Sequence, residues 1–296
     1  MKKLEDIRND HVSGASEIAI RCAEYLKSQA SHITADKPDQ FLSKLAQIGA
    51  QLKQAQPAMA PVYNAVHFVL SAVRERLGKG ATTSQLRNAA TEAAQNFTDR
   101  LKYSMKDLAA VGVSLIENQH KIMTYSSSRA VAALLKRAKT EGRSFTVVVP
   151  ESRPMCEGRV LAQDLGSTGI SCTVIVDGAI SSFIDQVDVV LVGADRVSER
   201  CVVNKIGTRG LAIIAREFRV PIYCVCETSK FLTSDLLPFT QKENPAEQVW
   251  EKTTENVKVR NIYFEEVPSD SFTGFITEKG VLGPADVRRA VTEGLP

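Results

Sequence analysis

The chain has 296 residues, 44% hydrophobic and 24% charged, with a formal net charge of +3. Those values fit a folded protein of one large or two ordinary domains, and they exclude a disordered, collagen-like or disulfide-stapled chain. With 15 basic against 12 acidic residues up to Gln119 and 22 against 22 beyond it, neither part carries the basic block expected of a nucleic-acid-binding surface.

The first 119 residues read as helices. Ile18, Cys22, Tyr25 and Leu26 form an apolar stripe at helical spacing. Leu42, Leu45, Ile48 and Leu52 repeat it, and so do Val62, Val66, Val69, Leu70, Val73 and Leu77. Pro38 and Pro61 sit where helices begin. A long fourth helix is predicted over 83–117. Such stripes are helix-packing core rather than function.

Beyond Gln119 the pattern changes to short β-rich runs at 121–125, 145–149, 172–176, 187–192 and 222–225. Helical candidates lie between most of them, at 128–139, 157–165 and 208–218. Strands alternating with helices predict a parallel sheet covered on both faces. The expected architecture is an N-terminal all-helical domain, 1–119, followed by a Rossmann-like doubly wound α/β domain, 120–296. No apolar run approaches the roughly 18–20 residues of a membrane helix, and Met1-Lys2-Lys3-Leu4 leads into no signal-peptide core, so the expected location is the cytoplasm.

In an open parallel sheet, ligands bind beyond the carboxyl ends of the strands. The predicted strands deliver Ser126-Ser127-Ser128-Arg129, Glu151-Ser152-Arg153-Pro154, Asp177-Gly178, Gly193-Ala194-Asp195-Arg196 and Glu227-Thr228-Ser229-Lys230. All five ends are polar although the strands before them are almost purely apolar. Three serines before a helix offer hydroxyls and free amides to a phosphate; they serve equally well as a helix cap. Asn204-Lys205-Ile206-Gly207-Thr208 adds a cation, an amide and a close-approach glycine at another helix start. There the ligand reading is favoured, because capping explains neither Asn204 nor Lys205. Asp195, at the end of a buried strand, suits an acid/base role; a salt bridge to Arg153 or Lys205, or a helix cap, is the structural alternative. The six cysteines (Cys22, Cys156, Cys172, Cys201, Cys224, Cys226) contain no CxxC pair, and the histidines lack zinc-ligand spacing, so no metal is expected. No GxGxxG follows a predicted strand, which sets aside a nicotinamide-dependent dehydrogenase.

Glu151-Ser152-Arg153-Pro154 with Glu157-Gly158, Val192-Gly193-Ala194-Asp195-Arg196 and Asn204-Lys205-Ile206-Gly207-Thr208 closely resemble one superfamily. It comprises the alpha, beta and delta subunits of translation initiation factor 2B, ribose-1,5-bisphosphate isomerase and methylthioribose-1-phosphate isomerase. The resemblance extends to Cys226-Glu227-Thr228-Ser229-Lys230-Phe231 and to the tail from Phe275 to Pro284. It implies the two-domain architecture above, dimerisation through the α/β domain and no cofactor. Asp195 then corresponds to the enzymes' acid/base, and Asn204 and Lys205 to substrate-holding groups.

The chain departs from the isomerases at three motifs. Their Arg-Gly-Ala turn is Ser13-Gly14-Ala15 here, and their Arg-Pro-Thr element is Gln56-Pro57-Ala58. Their Thr-His-Cys-Asn-Ser element is Thr124-Tyr125-Ser126-Ser127-Ser128, which puts Ser126 at the catalytic cysteine. A hydroxyl is a much poorer proton donor or acceptor near neutrality than a thiol; Cys201, beside the Asn-Lys run, is the nearest substitute thiol in sequence. The expected function is therefore an initiation factor 2B-like regulatory protein whose cleft binds a sugar phosphate or nucleotide phosphate without efficient catalysis. The alternative is an aldose–ketose isomerase of a 1-phosphorylated pentose, and a third reading is an assembly subunit with a vestigial pocket. The expected site comprises Asp195 and Ser126 as the acid/base positions. Gly14, Ala15, Ser127, Ser128, Arg153, Asn204, Lys205 and Gly207 form the ligand contacts. The expected partners are a phosphorylated small molecule and further copies of this chain or related subunits, as a homodimer or higher homo-oligomer.

Overall fold

A computed structural model describes residues 4–10, 13–57, 59–236 and 238–293. Ala58 of the Gln56-Pro57-Ala58 element lies outside them. The chain forms two compact units, one running to Ser104 and including Ser229–Leu232, the other formed by the rest.

In the first unit, helices α1 (Leu4–Arg8), α2 (Ala15–His32), α3 (Pro38–Ala55), α4 (Ala60–Gly78) and α5 (Thr83–Val113) follow the apolar stripes. Pro38 opens α3 and Pro61 lies in the first turn of α4, where a missing amide hydrogen costs nothing. Ile18, Cys22 and Leu26 pack with Phe41, Leu45, Leu52, Val62, Val66, Val69 and Val73, joined by Leu86, Ala90 and Phe97 of α5. The α3 stripe is rotated from the predicted one: Phe41 is fully buried, whereas Leu42 and Ile48 are only partly so. Asn64 of α4 donates its amide hydrogens to the carbonyls of Ser229 (2.6 Å) and Phe231 (3.0 Å).

The second unit is built on a seven-stranded sheet. Its first strands are β1 (His120–Tyr125), β2 (Phe145–Pro150), β3 (Ser171–Ile175) and β4 (Val189–Val192). The short β5 (Arg196–Val197) and β6 (Cys201–Lys205) lead to β7 (Ile222–Val225), then β8 (Phe264–Pro268), β9 (Gly274–Thr277) and β10 (Gly280–Leu282). The order across the main sheet is β10-β9-β7-β4-β1-β2-β3, parallel throughout except for the β9–β10 pair. The connecting helices are α6 (Arg129–Thr140), α7 (Glu157–Gly166), the single turn α8 (Ile180–Phe183) and α9 (Thr208–Glu217), with α10 (Pro284–Thr292) at the end. Five main-sheet strands coincide with the predicted β-rich runs to within two residues.

Strands β5, β6 and β8, absent from the sequence reading, form a separate antiparallel sheet in the order β5-β6-β8. The end of α5 belongs to the sheet core: Leu108 and Val113 pack with Ile122, Leu134, Val147, Leu191 and Ile276. The division between units therefore falls inside this helix, whereas the sequence pattern changes at 119. Among the described residues, no helix is long and apolar enough to cross a membrane.

Candidate functional site

The sheet is wound outward from β1 to β2 and β3, then returns to place β4 on the other side of β1. The loops leaving β1 and β4 therefore diverge in opposite directions, the arrangement that opens a ligand crevice in doubly wound sheets. The serine turn leaves β1 there, and Gly193-Ala194-Asp195 leaves β4. The two turns touch: a side chain on Gly193 would place its Cβ 2.5 Å from Ser128 Oγ, so only glycine fits. Ser128 caps α6, accepting from the Val131 amide at 3.4 Å, so the capping role is real. Ser127 is exposed. Ser126 has left-handed backbone (φ 61°), and its amide donates to Ser152 Oγ at 2.7 Å.

The end of β2 is organised around a carboxylate. The amides of Ser152 and Arg153 each donate to Asp177, at 2.7 Å. Asp177, delivered by β3, is thereby a structural clasp. The Arg153 guanidinium is exposed and donates to the Val249 carbonyl at 2.9 Å. Asp195 is half-buried, and its amide donates to the Val203 carbonyl at 2.9 Å, joining it to the small sheet.

The Asn-Lys-Ile-Gly-Thr run is the end of β6 turning into α9. Asn204 is buried and donates to Thr208 Oγ1 at 3.0 Å, while that hydroxyl donates to the Lys205 carbonyl at 2.6 Å. Lys205 is only 2% exposed. Its Nζ donates to Glu157 Oε1 at 2.6 Å and lies 4.9 Å from the centre of the Tyr263 ring. Gly207 takes φ 102°, and a side chain there would run into the Tyr125 hydroxyl, 2.2 Å from the Cβ position. The α9 N-terminus, which the sequence reading offered to phosphate, already holds an internal anion. Glu265 of β8 accepts from the amides of Gly207 (2.7 Å) and Arg209 (3.0 Å). A carboxylate at a helix N-terminus is stabilised by those amides as a phosphate would be.

Sequence reasoning missed Tyr125, Tyr263 and Glu265 as members of this site and gave Glu157 no role. No local signal couples Glu265 to Gly207, 58 residues apart; only the β6–β8 pairing does so. Burial pushes the Tyr125 phenol well above its ordinary pKa, reinforced by Asp177, Glu265 and Glu157. The substitute thiol is unsuited to the role. Cys201 Sγ donates to Glu266 Oε1 at 3.1 Å and contacts Ser198 Oγ at 3.3 Å, and burial raises its pKa. It also lies at the opposite end of β6 from Lys205, on the order of 13 Å along an extended strand.

The remaining predicted positions are in the helical unit. Gly14 precedes α2 and Ala15 is its buried first residue. Gln56, of the element compared with the isomerases' Arg-Pro-Thr, is buried and donates to the carbonyls of Ile7 (2.6 Å) and Asp10 (3.1 Å). It ties down the chain around α1.

A helical unit and a doubly wound α/β unit with polar turns at the switch point of its sheet define the class of this protein. The chain belongs to the initiation factor 2 subunit family, whose model matches residues 11–284. It is 31% identical over 285 residues to ribose 1,5-bisphosphate isomerase of Methanocaldococcus jannaschii, covering 95% of this chain and 90% of that protein. It is also 31% identical over 288 residues to a Pyrococcus furiosus protein named as translation initiation factor eIF-2B subunit 2-like, covering 96% of both. The crystal structure of the Pyrococcus horikoshii OT3 translation initiation factor eIF-2B aligns with a TM-score of 0.80 at 27% identity, covering 96% of each chain.

Proposed function

We propose that the protein binds a 1-phosphorylated pentose at the switch-point crevice and converts it between its aldose and ketose forms, ribose-1,5-bisphosphate being the first substrate to test. The observation that carries this reading is the meeting of the serine turn with Gly193-Ala194-Asp195 at the switch point. The 31% identity to a protein named for that isomerisation supports it. The reaction is redox-neutral: the bond from C1 to the ring oxygen breaks and that oxygen takes a proton, the hydrogen on C2 passes to C1, and the C2 hydroxyl gives up its proton to leave the ketone. In this reading Asp195 carries a proton between the two carbons. Ser126 and Ser127 offer hydroxyls to the ligand, and Lys205, held by Glu157, presents an ammonium whose charge is already balanced.

A second reading, binding without conversion as in a regulatory subunit, is favoured by one observation. Ser126 stands where the resembling enzymes have a thiol, and losing one partner of an acid–base pair typically removes ~10²–10⁴ of rate. Phosphorus NMR of the protein with ribose-1,5-bisphosphate separates the two. A ketose-phosphate signal that disappears in Asp195→Asn is the expected result. Broadened substrate signals without product would replace the isomerase reading with the regulatory one, and unperturbed signals would remove both for this ligand.

A further inference from the structure

We propose that Tyr125 is a ligand-binding residue, its phenolic O–H donating to an acceptor oxygen of the phosphorylated sugar; this rests on the binding reading above. Tyr125 closes β1 at the switch point, directly before Ser126, and is 3% exposed. None of the described residues hydrogen-bonds its hydroxyl, and the oxygen is not among the fully buried unpartnered atoms, so it faces space that water or a ligand can enter. The hydroxyl lies against Gly207, so it sits where the serine turn and the Asn-Lys-Ile-Gly-Thr turn come together.

Each of the three carboxylates around the phenol accepts from another donor and none accepts from the phenol, although Glu157 Oε2 is left unpartnered. Asp177 accepts from the amides of Ser152 and Arg153, Glu265 from those of Gly207 and Arg209, and Glu157 from Lys205. Their remaining effect on Tyr125 is electrostatic, and together with burial it keeps the phenol protonated. The group is therefore a permanent donor at neutral pH. A donor that no described residue accepts from, beside the hydroxyls of the serine turn, suits an oxygen with lone pairs, whether on the sugar or on its phosphate.

The test is calorimetric titration of the full chain and of Tyr125→Phe with ribose-1,5-bisphosphate and, separately, inorganic phosphate. Losing a donor to a charged or strongly polar oxygen is expected to weaken binding by about 10- to 100-fold. A loss with both probes assigns the acceptor to phosphate, and a loss with the bisphosphate alone assigns it to the sugar. The melting temperature without ligand is expected to stay level or rise, because the substitution removes a hydroxyl that lacks an internal partner. Equal affinities for parent and variant, with binding by the parent intact, overturn the assignment of Tyr125 alone. A variant that melts lower yet binds normally also overturns it, by making the hydroxyl structural. Failure of the parent to bind either probe overturns the proposed function and this inference with it.

Discussion

By the resemblance drawn from its motif, Ser126 stands at the position of the isomerases' catalytic thiol. Its left-handed conformation and its amide bond to Ser152 are set by the turn, so exchanging Oγ for Sγ leaves the geometry intact. Ser126→Cys is accordingly expected to raise isomerisation of ribose-1,5-bisphosphate by ~10²–10⁴, the usual contribution of one acid–base partner. Initial rates by phosphorus NMR measure this; an unchanged rate would mean that proton transfer does not pass through position 126. Lys205 carries the opposite lesson. In the sequence it is a cation next to a glycine turn, but in the fold Glu157 balances its charge and Tyr263 lies beneath it.

At the level of elements, α7 is where packing and site depend on each other. Gly158 lies so close to β2 that a Cβ there would fall 2.0 Å from the Pro150 carbonyl oxygen. Backbone cannot rotate away as a side chain does, so Gly158→Ala is expected to destabilise the fold by about 1–3 kcal/mol, the usual scale of overpacking. Urea unfolding followed by circular dichroism measures it, and a parent-like midpoint would show that the α7–β2 contact is slack. The neighbouring Glu157 would shift with the helix and loosen its hold on Lys205.

At the scale of the whole molecule, each unit has its own core, and Ser229–Leu232 belongs with the helices although the residues on either side belong with the sheet. Strand β3 is an edge of the main sheet and leaves Val174 exposed, as are Val176 just beyond it and Met155 and Val160 at the adjacent α7. An edge strand with exposed apolar side chains invites pairing with another chain. Because the resemblance to the superfamily also implies dimerisation through the α/β domain, light scattering is expected to give twice the 32.3 kDa of one chain or a higher multiple of it. A mass of 32.3 kDa would refute the dimer.

Much of this architecture was legible in the residues alone. Helical stripes such as Val62-Val66-Val69-Val73, and buried runs such as Val147-Val148-Val149, encode their elements locally, because periodicity and β-branching act within a few residues. Polar residues at predicted strand ends marked Ser126 and Asp195, and the predicted helix start at Asn204–Thr208 marked Lys205, for the same reason. The small sheet was not legible: β5 spans two residues, and β6 has its partner β8 about sixty residues away. Nor were the partners that decide the site's electrostatics. Glu157 on Lys205, Glu265 on the α9 amides and the Tyr125 hydroxyl on Gly207 are encounters between segments far apart in sequence. Local pattern determined which groups reach the carboxyl edge of the sheet. The tertiary structure decided which of them are already paired there, because a charge or donor is cancelled by whatever the fold brings within hydrogen-bonding distance.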